Sequence, residues 1–168
     1  MRYSRVYCCS AAGTGRGAES PQPTILMIDD DPHISQAIKR RFSQYRVTLL
    51  QAHHGTHGIW LATTREPDVI ITDLRMPQGR GQDVVAYLIR RPRTCRIPII
   101  VLTGVYEEEL RRRMLHLGVR EYLTKPVSFE DLRKAIGRFI DLQRNEEADQ
   151  ELDEKQTISA AISSSISA

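Results

Sequence analysis

Five positions carry residue types that handle phosphate: Asp29 and Asp30, Asp73, Thr103 and Lys125. Each follows a short strand-like run, Thr24 to Ile28, Asp68 to Thr72, Ile97 to Leu102 and Glu121 to Thr124. Clustered carboxylates repel one another and need a cation nearby. A hard divalent ion answers that need, and magnesium is commonly held by one or two carboxylates together with a phosphate while it keeps some of its waters. Lys125 offers a positive point charge for phosphoryl oxygens, and Thr103 offers a hydroxyl donor. These parts suit phosphoryl transfer, in which catalysis is mostly positioning and charge neutralisation. The condition is that all five meet in space.

The surrounding pattern supplies a way for them to meet. From Thr24 to Arg144 strand-like and helix-like stretches alternate five times. Asp31 and Pro32 read as the N-cap and first position of a helix whose Ile34, Ile38 and Phe42 share a face. A second strand is expected over Arg46 to Gln51, followed by a helix from about Gly55 to Thr64 that Pro67 closes. Met76 to Gly81 reads as a loop before a helix carrying Val84, Val85, Leu88 and Ile89, and Pro92 breaks that helix. A strand over Ile97 to Leu102, apolar on both faces, suits a buried parallel sheet. Leu110, Met114 and Leu117 mark a fourth helix ended by Gly118, and the last helix carries Leu132, Ala135, Ile136, Phe139 and Ile140. Five strand-then-helix units imply a doubly wound α/β sheet, with ligands beyond the carboxyl ends of the strands.

With those motifs in place, the chain resembles the receiver domain of two-component response regulators. The resemblance rests on Ile25-Leu26-Met27-Ile28-Asp29-Asp30-Asp31-Pro32, on Pro67 to Pro77 around Asp73, on Pro98 to Gly104 ending in Thr103-Gly104, and on Gly118 to Pro126 ending in Lys125-Pro126. The separations, 30 residues from Asp73 to Thr103 and 22 from Thr103 to Lys125, fit as well. The resemblance implies five parallel strands in the flavodoxin-like order 2-1-3-4-5 with five helices. It implies that Asp73 accepts a phosphoryl group from a histidine kinase or a histidine phosphotransfer protein, and that Asp30, Asp73 and the backbone carbonyl of Arg75 bind Mg2+, with Asp29 acting mainly through a bound water. Lys125 would contact the acceptor and the phosphoryl group, Thr103 would bond it as its loop moves, and Tyr122 would change burial with Thr103. The Lys125-Pro126 peptide would be cis. The domain would be a switch with intrinsic self-phosphorylation and autodephosphorylation chemistry rather than a conventional enzyme, signalling through its fourth helix, fifth strand and fifth helix. The exposed groups expected there are Glu107 to Glu109, Arg111 to Arg113 and Tyr122. Gly104 departs from the alanine more usual after the hydroxyl residue, leaving room for phosphate but loosening the loop. Arg75 places a long side chain near the site entrance.

Length and composition frame this reading. A chain of 168 residues holds one domain with tails: a leader over 1–23 without periodicity, expected to be disordered; the receiver over 24–144; and an acidic, then Ser/Ile/Ala-rich tail over 145–168 with no recognisable output domain. Cys8, Cys9 and Cys95 have no metal-like spacing and point to a reducing, cytoplasmic setting. No apolar run approaches the roughly 20 residues of a membrane span. The net charge of +3 conceals six acids and one lysine within 146–155, set against a basic remainder. Its arginines lack aromatic interleaving and read as a solvated surface, so no direct DNA binding is expected.

Plainer readings compete for several residues. Gly13 to Gly17 resembles a phosphate loop but follows no strand, and His53, His54 and His57 read as exposed rather than as metal ligands. Trp60 reads as partly exposed, with Ile59, Leu61 and Ala62 facing the core. Asp29-Asp30-Asp31 contains the Asp-x-Asp spacing of haloacid-dehalogenase-type phosphatases, in which Asp29 would be the nucleophile. That alternative leaves Asp73 to Pro77 unexplained, lacks a strand-end acid pair after Lys125 and has no cap insertion. A receiver-shaped module that never cycles would have no reason to keep mutually repelling acids.

Overall fold

The computed structural model describes residues 22–76 and 81–145. Within them β1 (Thr24–Ile28), α1 (Pro32–Phe42), β2 (Thr48–Ala52), α2 (Gly55–Arg65), β3 (Val69–Thr72), α3 (Gly81–Arg90), β4 (Ile99–Thr103), α4 (Glu108–Leu117), β5 (Glu121–Thr124) and α5 (Phe129–Ile136) follow one another. The strands pair in parallel in the order β2-β1-β3-β4-β5. No helix among the described residues is long and apolar enough to cross a membrane.

Alternation along the central strands sorts the core into two layers. Leu26, Ile28, Ile70, Ile99 and Val101 pack with Leu61 and Ala62 of α2, Val84, Val85 and Leu88 of α3, and Leu110 and Met114 of α4. Their neighbours Ile25, Val69, Ile71, Ile100 and Leu102 face the other way, against Phe42 of α1 and Leu132, Ala135 and Ile136 of α5. Both faces of the sheet are therefore covered, as parallel strands require.

Local chemistry sets the helix ends. Asp31 accepts from the amides of His33 and Ile34, with Pro32 at the first helical position. Ser128 accepts from the Asp131 amide and opens α5. Gly118, at φ 125°, closes α4. Glu66 in the left-handed region, φ 45°, ends α2 one residue before Pro67.

Three boundaries differ from the sequence reading. Strand β2 begins at Thr48 rather than Arg46, because Tyr45 and Arg46 are engaged instead by the end of the domain: Tyr45 bridges Arg144 antiparallel, and the Arg46 amide donates to the Gln143 carbonyl. Strand β4 starts at Ile99, after Pro98, although the Ile70 amide still donates to the Pro98 carbonyl. Helix α5 stops at Ile136, so Phe139 and Ile140 lie beyond it, and Ile140 is still buried. The expected leader as far as Pro21, residues 77–80 of the expected Met76 to Gly81 loop and the expected tail from 146 lie outside the described residues, as do Cys8, Cys9 and Gly13 to Gly17.

Candidate phosphoryl-transfer site

The ladder hydrogen bonds run one residue past the strands and fix the acids there. The Asp29 amide donates to the Ala52 carbonyl and the Asp73 amide to the Ile28 carbonyl, so the two backbones are held side by side just beyond β1 and β3. The Lys125 amide donates to the Thr103 carbonyl, continuing the β4–β5 pairing in the same way. Five residues separated by up to 96 positions thereby reach one edge of the sheet.

The side chains then interlock. Lys125 Nζ lies 2.7 Å from Asp29 Oδ2 and 2.7 Å from Asp73 Oδ2. The other oxygen of each acid accepts from a backbone amide two residues on, Asp31 for Asp29 and Arg75 for Asp73, both at 2.9 Å. This is the local turn that aspartate side chains form readily. Asp29 and Asp73 are buried, whereas half-buried Asp30 has no hydrogen-bond or ion-pair partner among the described residues. One ligand oxygen from each of Asp29, Asp30 and Asp73 lies within 4.8 Å of the others. Three carboxylates facing one ammonium leave an excess of negative charge, so the donor set fits a hard divalent cation held by oxygens.

Burial pushes the Asp29 carboxyl above its ordinary range, although Lys125 and the Asp31 amide oppose the shift. Burial alone would lower the Lys125 ammonium, but its hydrogen bonds to Asp29 and Asp73 outweigh that effect and hold it above the usual lysine value. The ammonium thus stays charged where it faces the acceptor candidate.

The loop beyond β4 is built differently. Thr103 is fully buried, and its hydroxyl accepts from the Val105 amide at 3.4 Å. A Cβ at Gly104 would meet nothing within 4 Å. An alanine would therefore fit, and the effect of glycine is on chain freedom rather than room.

Tyr122 corrects an expectation. Instead of standing exposed beside Glu107 to Glu109 and Arg111 to Arg113, it is 9% accessible and packs in the same layer as Leu110 and Met114. Its hydroxyl donates to the Val105 carbonyl at 3.1 Å, which satisfies the polar end of a ring placed inward by strand alternation. Burial raises its phenol above the ordinary tyrosine value, with Glu107 and Asp73 adding to the effect. The exposed aromatic on this face is Tyr106, 89% accessible.

The Lys125–Pro126 peptide bond is cis. Arg75 is exposed. His53, His54 and His57 are exposed and Trp60 is 55% accessible, with His57 stacked on Trp60. Sequence reasoning missed that His53 Nδ1 reaches the Asp29 carbonyl at 3.2 Å, a contact that requires the proton on that nitrogen. It also missed the paired aspartate turns, for which the i, i+2 spacing of Asp29 with Asp31 and of Asp73 with Arg75 was the available signal.

Comparison with known proteins agrees with this geometry. Residues 25–137 match a family described as the response regulator receiver domain. Protein PilH of Pseudomonas aeruginosa is 33% identical over 116 residues, which cover 69% of this chain and 96% of PilH. A hybrid signal transduction histidine kinase D of Dictyostelium discoideum is 33% identical over 134 residues, 80% of this chain but 8% of that protein. The chain thus spans a small part of some curated relatives, and 46% of a transcriptional regulator from Synechocystis. Among solved structures, the receiver domain of the Francisella response regulator 1452 superposes with a TM-score of 0.64 at 30% identity, covering 70% of this chain and 96% of that one. The chemotaxis protein CheY4 of Vibrio cholerae gives 0.66 at 25% identity, covering 71% and 99%.

Proposed function

The chain belongs to the response regulator receiver domain family, and from that premise we propose that Asp73 is its phosphoacceptor. Receiver domains take part in phosphorelay signalling as phosphoacceptor switches that receive phosphate from histidine kinases, and they bind Mg2+ at an acidic cluster such as Asp29, Asp30 and Asp73. The observation that carries the assignment is the Lys125 ammonium shared at 2.7 Å between Asp29 and Asp73, with only Asp73 followed by the exposed turn at Arg75.

In the transfer, an Asp73 carboxylate oxygen attacks phosphorus, the bond from phosphorus to the donor imidazole nitrogen breaks, and the electron pair leaves with that nitrogen. Asp30, half-buried and without a partner among the described residues, would hold the metal together with Asp73 and the Arg75 carbonyl, and Asp29 would act through a bound water. The metal when bound neutralises charge on the phosphoryl oxygens. Lys125 exchanges its contact with Asp73 for one with the transferred group, and Thr103 turns its hydroxyl from Val105 toward a phosphoryl oxygen. Release of the Val105 amide couples that movement to Tyr122, which bonds the carbonyl of the same residue.

The output surface in this reading is the face of α4, β5 and α5. Tyr106, Glu107, Glu108 and Arg111 line a cleft of about 210 Å³ there, above Tyr122. The partners are a histidine kinase or phosphotransfer protein on one side and a protein target on the other, with no direct DNA contact, in the cytoplasm. Treatment with acetyl phosphate and Mg2+, followed by mapping of the modified aspartate, tests the assignment. Label on Asp73, lost in Asp73→Asn, supports it; label on Asp29 would instead favour a phosphatase of the haloacid-dehalogenase type.

A further inference from the structure

An apolar groove runs between α1 and α5. It encloses about 590 Å³ and is walled by Ile34, Ile38, Leu102, Phe129 and Leu132. Arg41 lies at its lower end, over the Phe129 ring, and Lys125 and Pro126 lie at its upper end beside the carboxylates. Open apolar surface of this kind gains free energy when covered.

The route of the chain points to what covers it. The domain ends beside the foot of α1: the Asn145 amide donates to the Gln44 carbonyl, and Arg144 bridges Tyr45. The next residues, outside the described part, are acidic: Glu146, Glu147, Asp149, Glu151, Asp153 and Glu154. The foot of α1 is basic. Lys39, Arg40 and Arg41 form its last turn and Arg46 follows, and none of the ion pairs among the described residues includes any of them. Beyond the acids, Ile158, Ile162 and Ile166 recur every fourth residue among serines and alanines, a spacing that aligns apolar groups on one helical face. At 1.5 Å per residue such a stripe is about 12 Å long, against about 10 Å from Ile34 to Arg41 along α1.

We propose that residues 146–166 fold back on their own domain, the acids on the basic foot of α1 and the three isoleucines in the α1–α5 groove. The leader suits the groove less well, because Arg2, Arg5 and Arg16 would meet like charge. Tethering at Asn145 gives the segment an effective concentration on the order of millimolar, so weak contacts suffice.

The test uses the full chain and does not involve phosphorylation. Methyl NMR spectra of Ile34, Ile38, Leu132 and Val127, which also lines the groove, are compared between the native chain and Ile158→Ser/Ile162→Ser/Ile166→Ser. Those four residues should shift while Val84, Leu88 and Leu110 on the other face stay in place. The native spectrum should move toward that of the variant as salt is raised to about 1 M, where the screening length falls to about 3 Å. Superimposable groove signals in the two chains would overturn the proposal. So would shifts that grow with protein concentration, which would assign the groove to a second copy.

Discussion

The acidic cluster and the loop beyond β4 face each other across the same sheet edge, yet they are held in opposite ways. Asp29 and Asp73 are buried, tied by backbone amides on one oxygen and by Lys125 on the other. The Thr103 hydroxyl accepts a single long hydrogen bond among the described residues, from the Val105 amide, Gly104 has open space where a side chain would stand, and Tyr106 is almost fully exposed. A site that must place an acceptor accurately and then signal its occupancy needs both. The first half supplies pre-organisation, and the second is a weakly held segment whose position a phosphoryl group can decide.

The largest expected effect falls on the anchored half. Lys125→Ala leaves two buried carboxylates without their shared cation. Removing one partner of a buried pair costs about 3–5 kcal/mol, and the lower end applies here because the Lys125 side chain is 19% exposed. Urea unfolding without metal should show that loss, and added Mg2+ should return part of it. An unchanged midpoint would mean that the cluster is not anchored by this residue.

Mg2+ itself should stabilise the native chain by about 2.7 kcal/mol at a hundred times its dissociation constant. Asp30→Ala should abolish that gain while leaving metal-free stability nearly unaltered, since Asp30 has no partner to lose among the described residues. Gly58→Ala breaks the support beneath the site instead, because a Cβ there would lie 2.5 Å from Ile28 Cδ1, one residue before Asp29. Overpacking of this kind costs about 1–3 kcal/mol, and circular dichroism melts would read it.

The pH dependence sharpens the same contrast. Burial raises the Asp29 carboxyl above its unfolded value, so its contribution is fully present below the unfolded value and is lost as pH rises through the folded one. Lys125 is raised as well, so its contribution persists through neutral pH and is lost only as pH rises through its folded value in the alkaline range. Without metal, Asp29→Asn should therefore gain on the native chain between acid and neutral pH in paired denaturation curves. The smallest effect belongs to the loop: Gly104→Ala should stabilise by about 0.4–1 kcal/mol by restricting the unfolded chain. A destabilised Gly104→Ala would mean that the loop is less open than its geometry shows.

Much of this was legible in the chain. Alternating strand and helix patterns, Asp31-Pro32 as a helix start, Gly118 as a helix stop and polar residues at strand ends all follow from local chemistry and the two periodicities of the backbone. Tyr122 was misplaced because an aromatic in a short strand suits either face, and the choice fell to the Val105 carbonyl waiting inside. The start of β2 was misplaced because Tyr45 and Arg46 are claimed by Gln143 and Arg144, nearly a hundred residues later.

By itself, then, the sequence determined which residues could handle phosphate, the alternation that carries them to one sheet edge, and the family to which they belong. Tertiary structure alone decided that Lys125 bridges Asp29 and Asp73, that Asp30 is left without a partner among the described residues, and that Gly104 faces open space. Those facts depend on side chains converging from separate strands, and distance across a sheet is not encoded in the spacing along any one of them.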